Sequence, residues 1–193
     1  MESHFDELWH SRPRLWLLTF VSQAAGESRC GFQCTVRCPV AVLYISCTAE
    51  TCHTSRVDDT PVFVTFRTYE DFVLPPEARD LAYQHCLHDH MVLVHMHSFV
   101  IMPTHVHLLF TPLRDKDGQS FRLAKIMNGI KGPSAHSINK LLARSGHLWQ
   151  DESFDHVIES DEEMNNRRFY ILTNPIDAGL CKYPEDYRWL WRE

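Results

Sequence analysis

Two apolar runs, Phe99-Val100-Ile101 and Leu108-Leu109-Phe110, are separated by Met102-Pro103-Thr104-His105-Val106-His107. Nothing else in the chain constrains its fold as tightly. Each run is short, rich in β-branched and large apolar residues, and bounded by turn residues, which describes a strand rather than a helix. The pattern predicts a strand over Val92–Met102, a tight break at Pro103-Thr104, and a returning strand from His105 to Thr111. Side chains on a strand alternate between faces, so His105 and His107 point the same way. Two imidazoles side by side on a rigid strand supply half of a metal site.

Around this centre the chain reads as alternating elements. Val62-Phe63-Val64-Thr65-Phe66 is a β-rich central strand. Pro75-Pro76, with Glu77 and Ala78 in the first turn, opens a helix that runs to about His90. Phe121 to about Arg144 is helical in pattern, and Gly129 and Gly132-Pro133 are expected to break it. Phe154–Glu159 reads as a fourth strand. Ser160 is then an N-cap, with Glu163 three residues on completing a capping box, and Pro175 is expected to limit that helix. The order strand, helix, strand, strand, helix, strand, helix implies an α+β fold, a largely antiparallel ferredoxin-like sheet packed by helices.

Residues 1–58 differ in character, with no sustained period and many Cys, Ser and Thr. They are read as a loosely attached N-terminal extension, with a short strand at Val42–Ile45, and residues 59–193 as the domain proper. Five of the seven cysteines fall between Cys30 and Cys52. Cys30, Cys34, Cys38 and His53 leave a zinc site open as one reading, but paired Cys-x-x-Cys knuckles are missing, and free thiols in a reducing cytoplasm are expected. Arg12 and Arg14 before Leu15–Val21 mimic a secretory signal, yet the apolar stretch is short and carries Thr19. No apolar run reaches the roughly 18 residues of a membrane span. The chain is therefore expected in the cytoplasm, nucleoid-associated when acting.

The formal net charge of −6 conceals a local reversal. Between Gly118 and Gln150 there is no Asp or Glu, and Arg122, Lys125, Lys131, Lys140 and Arg144 carry five positive charges. That block reads either as a solvated helix face or as a phosphate-binding surface. The last helix offers Tyr170 and Asn174, four residues apart and so on one face. An amide oxygen beside two imidazoles suits Mg2+ or Mn2+ with positions left for a substrate oxygen. A tyrosine, with a pKa of about 10, is a weak nucleophile until its target is polarised, and a phosphodiester held by a metal is such a target.

These residues stand in blocks that resemble a known family. His97-Ser98-Phe99-Val100-Ile101-Met102-Pro103-Thr104-His105-Val106-His107-Leu108-Leu109-Phe110 resembles the signature of single-tyrosine HUH transposases, in which a hydrophobic residue separates two histidines. Gly146–Gln150, Phe154–Ile158, Tyr170–Leu180 and Pro184–Trp189 are similar to the branch called REP-associated tyrosine transposases, and the likeness runs from about Val62 onward. The resemblance implies a single-stranded DNA nickase and strand-transferase acting on hairpin-bearing DNA through a 5′-phosphotyrosine, as a monomer or homodimer. Carried over, His105, His107 and Asn174 are the ligands of a divalent metal, Mg2+ or Mn2+, and Tyr170 is the nucleophile. Arg122, Lys125, Lys131, Lys140 and Arg144 are the candidate DNA contacts. Thr104 stands where Asn or Asp is usual, Gly132-Pro133-Ser134 replaces a stretch that more often carries basic residues, and Phe154 stands where many relatives have Tyr. A domesticated binding protein of the same fold, no longer cutting, is the alternative.

Overall fold

The computed structural model describes residues 59–193. The strand at Val42–Ile45, the Cys30/Cys34/Cys38/His53 cluster and the signal-like stretch lie outside the described residues. The elements are β1 (Val62–Arg67), α1 (Pro76–His88), β2 (Val94–Ile101), β3 (His105–Pro112), α2 (Leu123–Leu141), β4 (Phe154–Val157), α3 (Asp161–Asp177) and β5 (Leu190–Arg192). The strands form one sheet in the order β4-β1-β3-β2-β5, and every neighbouring pair is antiparallel. The expected order of elements is present, as is the α+β architecture. β2 and β3 form the expected hairpin, closed across Pro103-Thr104 by the Met102 N–H donating to the His105 carbonyl at 2.8 Å.

Alternation along the strands builds two cores. Val62, Val64 and Phe66 of β1 and Val106, Leu108 and Phe110 of β3 point into one layer, where Ala78 and Ala82 of α1 and Ile126, Ile130 and Ile138 of α2 cover them. Phe63, Val100 and Leu109 point into the other, beneath Ile171 of α3. Each of these apolar side chains is almost completely buried, contributing roughly 1.5–3 kcal/mol for the larger ones. The sheet thus separates α1 and α2 from α3.

Three local expectations are corrected. α2 is continuous from Leu123 to Leu141, with Pro133 inside it. Pro133 has no N–H for the Gly129 carbonyl, but burial of Ile126, Met127, Ile130 and Ile138 on both sides of it holds the helix together. Gly129 has a separate role: a Cβ there would meet Asp89 Oδ2 at 3.1 Å, so glycine lets α2 lie close to the end of α1. Ser134, next to the proline, is buried and fully used. Its Oγ donates to the Ile130 carbonyl at 2.6 Å and accepts from Trp149 Nε1 at 2.9 Å. Pro175 likewise lies within α3, which continues to Asp177, with Ile171 and Pro175 both buried. The third correction is β5, which sequence patterning missed. It is only three residues long and borrows its order from the edge of β2, where Ser98 pairs with Arg192 and Val100 with Leu190.

The start of α3 follows its sequence signal with one change. Ser160 Oγ accepts the Glu163 N–H at 3.2 Å, but the Glu163 carboxylate accepts from the Glu159 N–H at 3.1 Å rather than from Ser160. Among the described residues, no helix is long and apolar enough to cross a membrane.

Ser134→Ala is expected to destabilise the fold by about 1–3 kcal/mol, because the buried Trp149 N–H loses its acceptor. Urea unfolding monitored by tryptophan fluorescence measures this. The same substitution made in a Trp149→Phe background should cost markedly less.

Candidate functional site

The register between β1 and β3 sets the site. Thr65 pairs with His107, Arg67 with His105, and Phe63 with Leu109. His105 and His107 therefore stand on the α3 side of the sheet, their ring centroids 4.8 Å apart. Val106 between them is buried in the opposite layer. This is the arrangement that the one-residue spacing demands of a strand.

His107 is only 4 % exposed, and both of its nitrogens have neighbours. Nδ1 lies 2.7 Å from Thr65 Oγ1, and Nε2 lies 3.4 Å from the Asn174 side-chain amide. With Nδ1–H donating to Thr65, the lone pair of Nε2 faces α3. Phe63 stacks on the ring at 5.5 Å and fixes its plane. His105 is half-buried, with Nδ1 3.3 Å from Thr104 Oγ1. Thr104 thus contacts the first histidine from the turn itself.

α3 brings the remaining groups. Ile171 and Pro175 are buried, and they seat the helix so that the next residues over, Tyr170 and Asn174, reach the histidine pair. The Tyr170 ring meets His107 edge-on at 5.1 Å and Phe63 at 6.0 Å. The four residues singled out from spacing and resemblance are thus brought to one place. Tyr187 is not: it is 5 % exposed, and its hydroxyl donates to the Ile101 carbonyl at 2.9 Å.

The electrostatics leave both imidazoles neutral at pH 7. Burial, and next the Arg67 guanidinium, push His105 down to about 4, although a hydrogen bond donated by His105 to Asn174 pulls the other way. His107 is held well below the ordinary histidine value by burial, then by His105, Arg67 and Arg167. Two neutral imidazoles and an amide converge, and with the Asn174 amide turned so that its oxygen faces inward this donor set suits a divalent cation that keeps positions open. Thr65 stands behind His107 as an orienting partner of the kind metal-bound histidines commonly have. Sequence reading missed Thr65, Arg67 and Arg167. The signal for the first two lay in strand pairing, which local spacing does not reveal.

The basic block lies elsewhere. α2 packs on the sheet face opposite the histidines, so its cations do not line their pocket. Arg122, Lys125 and Lys140 are exposed. Lys131 instead donates to the Asp151 carbonyl at 2.9 Å, and Arg144 covers the Phe72 ring at 4.2 Å. The cations nearest the histidines are Arg67 and Arg167, one on the paired strand and one on α3.

Residues 69–174, more than half of the chain, match the model of the family described as "Transposase IS200 like". A Haemophilus influenzae protein named as a REP-associated tyrosine transposase is 26% identical over 95 residues, covering 47% of this chain and 54% of the relative. The match therefore spans about half the length of that relative. Among solved structures, a REP-associated tyrosine transposase bound to a REP hairpin superposes with a TM-score of 0.58 at 17% identity, covering 70% of this chain and 78% of the other. At that identity the likeness is one of fold.

A pH dependence follows from the lowered histidines. The unfolded chain binds protons at His105 and His107 as pH falls below about 6.5, whereas the folded chain resists until about 4 at His105 and until well below the ordinary histidine value at His107. Folding stability is thus flat above the unfolded value and declines as pH falls through that window. Urea midpoints measured in chelator from pH 7.5 to 4.5 should show this slope, and His107→Gln should make it shallower.

Proposed function

Since the chain belongs to the IS200-like transposase family, we propose that it is a metal-dependent single-stranded DNA endonuclease and strand-transferase, with Tyr170 as its nucleophile and hairpin-bearing DNA as its substrate. The observation that carries this reading is the meeting of His105, His107, Asn174 and Tyr170 on one face of the sheet, with His107 3.4 Å from Asn174 and 5.1 Å from the Tyr170 ring. A binding protein has no need of that convergence. The similarity to REP-associated tyrosine transposases supports a hairpin substrate.

In this proposal His105, His107 and Asn174 would hold Mg2+ or Mn2+, and the ion when bound would supply positive charge to offset that of the phosphodiester. The chain's own groups do the rest. Thr65 and Phe63 hold the His107 ring in one orientation, so its lone pair is ready without rearrangement. Tyr170, on a helix seated by Ile171 and Pro175, meets the phosphodiester in a restricted set of directions. Its Oη bonds to phosphorus and its proton passes to solvent. The bond from phosphorus to the 3′ oxygen breaks, and that oxygen takes up a proton to leave as a 3′-OH. The 5′ side stays on the enzyme as phosphotyrosine. The 3′-OH of a second strand reverses the step and releases Tyr170 with a new junction. Arg67 and Arg167 flank the histidines and contribute positive charge where the strand's phosphates lie. Arg122, at the N-cap of α2, and Lys125 and Lys140, exposed on it, would serve parts of the hairpin distant from the cut, with Lys131 and Arg144 exchanging internal contacts for phosphate. The active unit is a monomer or homodimer.

Incubation with hairpin-bearing single-stranded DNA and Mn2+ or Mg2+ should give a covalent protein–DNA adduct on a denaturing gel. Tyr170→Phe should abolish it, and Tyr187→Phe should keep it if the fold survives. Tight hairpin binding with no adduct under either metal would identify a domesticated binding protein instead. Thr65→Val should weaken metal binding roughly 10- to 100-fold, measured by Mn2+ titration, while leaving DNA affinity in chelator unchanged.

A further inference from the structure

A second group of ligand atoms lies on the same sheet face, nearer the far end of β2. His95 and His97 come from β2, and Glu193 follows β5. Their ligand atoms all lie within 4.8 Å of one another. The register of β2 against β3 shifts between Met96 and Ser98, so His97 sits in a bulge. A bulge re-aims a side chain that regular pairing would otherwise constrain. Glu193 is brought in by the backbone, its N–H donating to the His97 carbonyl at 3.2 Å.

His97 is the informative residue. Its side chain is 10% exposed, and Nε2 is engaged with Thr111 Oγ1 at 2.8 Å. Nδ1 is buried and has no hydrogen-bond partner, yet it faces Glu193 Oε2 at 3.9 Å. Burial, then the neighbouring His95 and Arg168, push His97 down to about 4, so the ring is neutral at pH 7. With Nε2–H donating to Thr111, the unpartnered Nδ1 is a lone pair aimed at a carboxylate. A lone pair and a carboxylate facing each other at 3.9 Å are an arrangement that a cation resolves. The Glu193 carboxylate also meets His95 Nε2 at 3.0 Å, which completes a set of two imidazoles and one carboxylate. Thr111 behind His97 is the outer partner that orients a metal-bound imidazole.

We propose that His95, His97 and Glu193 form a second metal site, separate from the His105/His107 pair, which takes a transition-metal dication of the zinc class and fastens β5 to the edge of β2. Two imidazoles and a carboxylate are a donor set that zinc takes, and the anionic oxygen distinguishes it from the neutral set of His105, His107 and Asn174. Ligands about 2.1 Å from a tetrahedral ion lie roughly 3.4 Å from one another. The three ligand atoms, within 4.8 Å of one another, reach that spacing by small side-chain movements. On binding, His95 takes the neutral tautomer that carries its proton on Nδ1, so that Nε2 trades its hydrogen bond with Glu193 for the ion, and water fills the fourth position. His90 stays outside the set, because its Nδ1 accepts the Met96 N–H at 3.1 Å. Arg168 approaches from α3 and opposes a bound cation, which Glu193 offsets. The site's role is structural: β5 has three residues, too few to hold an edge firmly by pairing alone.

The test uses the full chain carrying His105→Ala and His107→Ala, so that the first pair contributes nothing. Zn2+ bound per chain is counted after dialysis, and thermal unfolding is followed with and without Zn2+. Adding Glu193→Gln should remove one molar equivalent of Zn2+ and the part of the Zn2+-induced rise in Tm that depends on it. Adding His95→Gln instead should do the same. Nitrogen-15 spectra of the histidine-labelled parent should show His97 Nδ1 shifted by Zn2+, and this holds independently of whether a variant folds. An unchanged zinc count in both variants, or an unshifted His97 Nδ1, overturns the site. Neither outcome bears on cleavage by Tyr170, which the adduct assay decides separately.

Discussion

The antiparallel pairing of β1 with β3 is the constraint on which the rest of the molecule depends. It sets Thr65 opposite His107 and Arg67 opposite His105. One residue of slip would turn both histidines into the layer beneath α1 and α2 and leave apolar side chains facing α3. That register is held by the cores on both faces at once. Phe66, Leu108 and Phe110 bind it from one side, and Phe63, Leu109 and Ile171 from the other. The site thus inherits its rigidity from burial that has nothing to do with chemistry.

The same two-faced sheet divides labour among the helices. α1 and α2 complete the larger core, while α3 covers the smaller one and carries Tyr170 and Asn174. The smaller core is where titratable groups collect, and its low polarity is what keeps His105 and His107 neutral. A solvated pair would share protons with the buffer near neutral pH. Here burial keeps the lone pairs available, and Arg67 and Arg167 reinforce this by disfavouring further positive charge. The His95/His97/Glu193 group uses the same face, with the bulge in β2 supplying what regular pairing would not.

Local chemistry made much of the design legible beforehand. The break at Pro103-Thr104, the same-face placement of His105 and His107, and the cap at Ser160 rest on interactions within a few residues, so spacing determines them. The failures share the opposite property. Pro133 and Pro175 were expected to end helices because a proline removes a hydrogen bond locally, but burial of Ile130, Ile138 and Ile171 keeps both helices going. β5 was missed because its order comes from the edge it joins. Thr65 escaped notice because its partner lies 42 positions away. The basic block of α2 was visible as composition, but composition does not say which side of a sheet a helix covers.

What the amino-acid sequence determined by itself was the set of reactive groups and their local geometry: two histidines on one strand face, a tyrosine and an asparagine on one helix face, and an α+β order of elements. Tertiary structure decided which of these groups meet. It brought α3 rather than α2 over the histidines, placed Thr65 behind His107, and buried the pair deeply enough to hold it neutral. Side-chain direction follows from backbone periodicity within a segment, whereas register, layer and burial arise only when segments that are distant in sequence pack together.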